Sequence, residues 1–232
     1  MKRKKRAVAV LLLALTLLAG GLGWIAYEEG RQQKLQQQLI AAIKRHDARA
    51  VIALLDAGVD PNTQDRSDHG KVGLWTLLRR RWTGPSLETA YDPTALATVF
   101  GWSQVLTDDK RGFVPERPAD IAITQALAAK GANVNVPMAN GWPVLFGPIR
   151  IGYEKCAECL LDHGADANAA NPGGFTVLMC ASENSSIQNV RMLLDHGARV
   201  NAIYQGVTAL KYADLSRNPA IKSLLLKAGA RR

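Results

Sequence analysis

The chain has 232 residues, 47% hydrophobic and 21% charged, which excludes an intrinsically disordered chain and leaves room for one medium domain with an appendage. Its net charge of +9 is concentrated: Lys2, Arg3, Lys4, Lys5 and Arg6 hold five of the 29 basic residues, and without them 24 basic residues face 20 acidic ones. The basic balance is therefore largely a property of the extreme N-terminus and weak evidence for a nucleic-acid-binding face, and the three cysteines (Cys156, Cys159, Cys180) are too few for a disulfide scaffold.

Residues 7 to 27 run for 21 positions without a charge. As a helix they would reach about 31 Å, enough to cross a hydrocarbon core of roughly 30 Å. Trp24 and Tyr27 fall at the far end, where amphipathic aromatics settle among headgroups, and the basic cluster at 1–6 should stay in the cytoplasm. The expectation is a single-pass anchor that places the rest of the chain across the membrane. The alternative is a secretory signal with residues 8–18 as its apolar stretch and Ala19-Gly20-Gly21 as its cleavage site, leaving a secreted domain.

Residues 28–34 read as a polar, glutamine-rich stalk. Beyond it Leu35, Leu39 and Ile43 recur every four residues, one apolar stripe on an otherwise polar helix. A terminal unit of a stack has this pattern.

A phrase then returns: "LLDAGVDPN" at 54, "LAAKGANVN" at 127, "LLDHGADAN" at 160, "LLDHGARVN" at 193 and "LLKAGA" at 225. Its glycines are Gly58, Gly131, Gly164, Gly197 and Gly229, the last four 33, 33 and 32 residues apart. Each reads as the end of an apolar helix, with glycine taking the left-handed conformation that other residues avoid and Asn or Asp supporting the turn. Upstream of the helices lie "GWPVL" at 141, "GFTVL" at 174, "GVTALKYA" at 206 and, more weakly, "DPTALA" at 92.

With this unit of about 33 residues and these phrases, the sequence resembles the ankyrin-repeat family, whose T-P-L-H-x-A phrase opens each repeat. The resemblance is specific over 119–232, with an opening repeat at 35–62. It implies an all-α solenoid of helix-turn-helix units over residues 35–232, preceded by the N-terminal transmembrane helix. At the family phrase the chain has Thr176-Val177-Leu178-Met179-Cys180-Ala181 and Thr208-Ala209-Leu210-Lys211-Tyr212-Ala213, but also a degenerate Pro143-Val144-Leu145-Phe146-Gly147-Pro148. Pro148 should shorten or kink that helix. His163 and His196 occupy the family's usual position before the glycine and read as structural.

Between Gly58 and Gly131 the pattern blurs, making 63–117 an irregular or inserted region. Helices are expected around 73–82 and 94–105, a loop near 106–117, and a helix from 118 to 130 with proline at its first position. Trp75, Trp82 and Trp102 lie in this region; they either fill a core where repeat packing is interrupted or form a partner-specific surface.

No Walker loop, H-E-x-x-H or G-x-S-x-G is present in the sequence. Cys156-Ala157-Glu158-Cys159 is a C-x-x-C, but the repeat register places both cysteines among buried apolar positions, where cysteine packs as a small hydrophobe. Arg79, Arg80 and Arg81 read as a solvated helix face, with phosphate or anionic lipid as the other use. No catalysis, cofactor, metal, nucleic acid or small-molecule substrate is expected.

The reading is a membrane-anchored interaction module that holds a protein partner, with its ankyrin domain in a bacterial periplasm. Two other classes use the same features: an inhibitor or immunity protein occluding one enzyme or toxin, and a thiol-dependent enzyme built on Cys156 and Cys159. In the family, hairpin tips and the inner face of the first helix carry the variable contacts. Carried over, this implies Trp142, Phe175 and Val207 as an apolar row, Asn140, Tyr204 and Gln205 beside it, and Arg150, Glu183 and Asn184 on the first helices.

Overall fold

A computed structural model describes residues 2–64, 94–100, 116–138, 141–184 and 186–231, with side chains described from residue 23 onward. Among them are ten helices: α1 (Lys2–Lys44), α2 (Ala48–Asp56), α3 (Ala95–Val99), α4 (Pro118–Ala129), α5 (Phe146–Ile151), α6 (Glu154–Asp162), α7 (Val177–Glu183), α8 (Ile187–Asp195), α9 (Ala209–Leu215) and α10 (Pro219–Lys227). They pair in order, a first helix running out and a second returning, so five helix pairs stack side by side. The end of α1 serves as the first helix of the first pair.

Local chemistry fixes the helix ends. Asp47, Thr94, Thr176, Ser186 and Asn218 each accept a hydrogen bond from a backbone N–H in the first turn of the adjoining helix. Pro118 and Pro219 start α4 and α10, where a missing N–H costs nothing. The repeating glycines adopt φ between +80° and +90° just past each second helix, as their period implies. The expected helix from 118 to 130 is α4, with Lys130 as its cap. Helix α5 is six residues long and carries Pro148 in its first turn, where it displaces no intrahelical N–H donor.

The core is one continuous seam between the two rows of helices. Leu39, Ile43, Val51, Ile123, Leu127, Ile149, Leu160, Leu178, Leu193, Ile221 and Leu225 are among its members, each 1% exposed or less. The stripe expected from Leu39 and Ile43 is thus the inner side of α1, with Leu35 packed at its margin.

One asparagine per repeat ties each unit to the next. Asn62 Nδ2 donates to Gly131 O at 3.3 Å and its Oδ1 accepts from Asn133 N at 2.7 Å. Asn135 repeats the pattern with Gly164 O and Asp166 N, both at 2.9 Å. Asn168 does so with Gly197 O at 3.4 Å and Arg199 N at 2.7 Å, and Asn201 with Gly229 O at 3.0 Å and Arg231 N at 2.8 Å.

This ladder resolves the blurred region. Asn62 reaches the unit ending at Gly131 directly, so the first pair stacks on α3–α4 with no further repeat between them. The bridge Gln64↔Thr94 closes the same hairpin as Pro137↔Pro143, Ala170↔Thr176 and Tyr204↔Val207. Among the described residues one stacked unit, α3 with α4, thus lies between Asn62 and Gly131, and residues 65–93 and 101–115 lie outside the described ones. Helix α3 ends at Val99 and not at 105. Trp75, Trp82, Trp102, Arg79, Arg80, Arg81 and the helix expected at 73–82 lie outside the described residues.

The polar stretch 28–34 is no separate stalk; it is part of α1. All of its residues but Gly30 are good helix formers, and Glu28 is bonded by Arg31 at 3.4 Å and Gln32 at 3.3 Å along the same face. Among the described residues no helix is long and apolar enough to cross a membrane. The side chains of residues 7–22, on which the expectation of a span mostly rests, lie outside the described ones.

Candidate interaction surface

The hairpins between helix pairs bring aromatic rings from successive repeats into one cluster. Trp142 stands edge-on to Phe146 with ring centres 4.9 Å apart and tilts toward Phe175 at 6.4 Å. Phe175 in turn meets Tyr204 and Tyr212 edge-on, each at 5.4 Å. Edge-to-face contacts at this range are favourable beyond the area they bury. Phe146 and Phe175 are buried at 1% and 8% exposure, whereas Trp142, Tyr204 and Tyr212 are half-buried. The outward rings thus rest on two inward ones.

Small residues let the rings lie this way. A Cβ on Gly173 would come within 3.3 Å of the Tyr204 ring, so the aromatic of one hairpin lies across the glycine of the hairpin before it. Gly174 and Gly206 have φ of +91° and +77°, the left-handed turn that glycine adopts without penalty. Burial and the neighbouring Glu183 carboxylate push the Tyr212 hydroxyl above its ordinary pKa, so it stays protonated and able to donate.

The nine positions carried over from the family separate into two places. Trp142, Phe175, Tyr204, Gln205 and Val207 lie on or beside the hairpins. Of these Phe175 is buried: Tyr204 and Tyr212 cover it from the next repeat, so it supports the surface and offers little of its own area. Val207 is half-buried, its N–H and C=O both exchanged with Tyr204, and Gln205 is exposed at the tip with φ of +49°. Arg150, Glu183 and Asn184 are exposed at the opposite ends of α5 and α7, where Asn184 Nδ2 donates to Arg150 O at 3.2 Å. Asn140 lies outside the described residues. Sequence reasoning missed Phe146 and Tyr212. Both sit inside the repeat-opening phrase, and an aromatic there beside an aromatic at the hairpin was the available signal.

The cysteines are packing residues. All three are buried free thiols. Burial raises the Cys156 and Cys159 thiols above their ordinary range and pushes Cys180 up to about 12, the reverse of what a nucleophilic or redox-active thiolate needs. Cys156 also receives a weak hydrogen bond from Thr124 Oγ1 at 3.7 Å. His163 Nδ1 lies 2.8 Å from Cys159 O on its own helix, and His196 Nε2 lies 3.7 Å from Asp162 on the preceding repeat.

A second polar cluster joins the first three repeats. His46, in the turn after α1, pairs through Nδ1 with the buried Asp120 carboxylate. Arg117 Nη1 donates to His46 Nε2 at 2.7 Å, which leaves the ring proton on Nδ1, directed at Asp120. Glu116 accepts from Cys156 N at 2.8 Å and Lys155 N at 3.2 Å, capping α6, whose own N-cap Tyr153 makes no side-chain cap bond. These contacts hold one repeat to the next.

Stacked helix pairs with hairpins projecting from one end define a repeat solenoid, a class that buries its apolar stripes only between neighbours. The family model described as "Ankyrin repeats (3 copies)" matches residues 117–204 and 170–231. The C-terminal half of the chain is thus made of ankyrin repeats, a protein–protein interaction module, and the asparagine ladder carries the same stacking back to Asn62. No curated protein matches the chain.

Proposed function

We propose that this chain is a membrane-anchored ankyrin module that holds a protein partner outside the cytoplasm, with no chemistry of its own. The observation that carries the binding reading is the half-buried set Trp142, Tyr204 and Tyr212 on a base of Phe146 and Phe175. Rigid, part-exposed aromatics concentrate interface energy because they bury large area at small entropic cost. Anchoring rests on the uncharged run at 7–27 behind five basic residues, and placement outside the cytoplasm on the positive-inside rule.

The test compares full-length wild-type protein with Trp142→Ala as bait in detergent-solubilised membranes. A partner retained by wild type and lost by a variant with an unchanged circular dichroism spectrum supports the surface. Retention by both removes it. Placement is tested by protease added to spheroplasts: the solenoid is digested if it lies outside the inner membrane and protected if it does not.

A further inference from the structure

We infer that α1 holds the hairpin row facing the bilayer, so that the partner must present its contact segment at the membrane surface. The inference rests on the anchored reading above and adds an orientation to it.

Its geometry comes from the order of elements. In each later repeat the first helix begins directly after a hairpin: Thr94 precedes α3, Pro143 precedes α5, Thr176 precedes α7 and Val207 precedes α9. The hairpins therefore stand at the N-terminal ends of the first helices. Helix α1 is the first helix of the first repeat, and the asparagine ladder stacks that repeat in the same sense as the others. The first helices of the later repeats, α3, α5, α7 and α9, are five to seven residues long, so the equivalent stretch of α1 starts near residue 38. Everything before residue 38 continues the same helix out past the hairpin end.

The anchor consequently leaves the solenoid on the side where Trp142, Ile203 and Tyr204 lie. Gln38 lies eleven helical steps from Tyr27, about 17 Å at 1.5 Å per residue. An unbroken helix cannot swivel as a Gly/Ser linker would. Ile203, 69% exposed at the last hairpin tip, and the half-buried Trp142 and Tyr204 are then turned toward the headgroups, while the turns between first and second helices point away.

The experiment uses the full chain in phospholipid vesicles carrying an acceptor-labelled headgroup lipid. Donor dye is placed on Ile203→Cys at the hairpin tip or on Ala220→Cys at the start of α10, at opposite ends of one repeat; the buried native thiols label slowly. The two sites differ by about 10 Å, the length of a seven-residue helix. Energy transfer should be larger from Ile203→Cys, and the difference should vanish when a Gly-Ser segment is inserted after Gly30. Equal transfer, larger transfer from Ala220→Cys, or a difference that survives the insertion overturns the orientation and leaves the anchor standing. Protein that fails to float with the vesicles overturns the anchor and the orientation together.

Discussion

Gly147→Ala tests the packing beneath the ring cluster, because two effects of opposite sign meet there. Gly147 lies within α5, and replacing a helical glycine by alanine ordinarily stabilises by up to about 1 kcal/mol. The built Cβ, however, would stand 2.6 Å from Phe100 Cβ, 2.9 Å from its Cγ and 3.4 Å from its Cδ2. The nearest atom is the root of the phenylalanine side chain, so a rotamer change cannot clear it. The end of α3 must move away from α5, opening a site where Phe100 is 4% exposed and Phe146 1%. Overpacking of this kind costs about 1–3 kcal/mol and outweighs the gain in propensity. A net loss of about 1–2 kcal/mol is expected, a fall of roughly 2–8 °C in Tm for a chain of this size. Unfolding of wild type and variant is followed by circular dichroism in one detergent. Gly30→Ala is the control: it is helical and a Cβ there meets nothing within 4 Å, so it should be neutral or stabilising. A Gly147→Ala protein that melts at or above the wild-type temperature would refute the close approach of α3 and α5.

Gly164→Val should destabilise by more than about 1 kcal/mol in the same assay, since φ of +88° is strained for a β-branched residue even though nothing obstructs its Cβ. Asn168→Ala removes the bonds to Gly197 O and Arg199 N and should cost about 1–2 kcal/mol, read as a lower urea midpoint, with no effect if the ladder is incidental. Trp142→Ala should weaken partner binding by about 2 kcal/mol or more with a small change in Tm; a loss of stability alone would assign the ring to the core it touches at Phe146. Cys180 gives a pH prediction: its thiol is raised to about 12 when folded, so the unfolded chain loses that proton first. Stability contributed by the neutral thiol is intact below the ordinary thiol range near pH 8.5 and declines as pH rises toward about 12. Urea midpoints measured across that window, with Cys180→Ala lacking this component, check the sign.

The repeat was legible because its punctuation is local. A glycine past each second helix and a Thr or Pro at each hairpin are demanded by backbone geometry within a few residues, so the period survives side-chain variation. The features that failed to show were long-range. Asn62 and Gly131 stand 69 positions apart in sequence, and nothing in "DPN" at 60 says that its amide reaches across the insertion to the next helix end. Phe175 read as a contact residue for the same reason. Hairpin aromatics are exposed unless a later element covers them, and its cover comes from Tyr204 and Tyr212, about thirty residues downstream. The helical continuity of 28–34 was concealed by composition, since glutamine-rich stretches suit a helix and a linker alike.

Between Asn62 and Gly131 stands one stacked unit, α3 with α4, and it is tied to the units on both sides of it. Twenty-nine residues of sequence separate Gln64 from Thr94, where five separate Ala170 from Thr176 and two separate Tyr204 from Val207. Lengthening the loop from five residues to 29 adds about 1.5 kcal/mol of closure entropy, because that term grows only with the logarithm of length. Around it stand His46 between Asp120 and Arg117 on the first-repeat side, Glu116 capping α6 on the third, and Phe100 seated over Gly147. A single charge-assisted hydrogen bond is worth about 1.5–3 kcal/mol, enough to offset the longer loop. The described units therefore stay stacked from the first to the third across the longer connection.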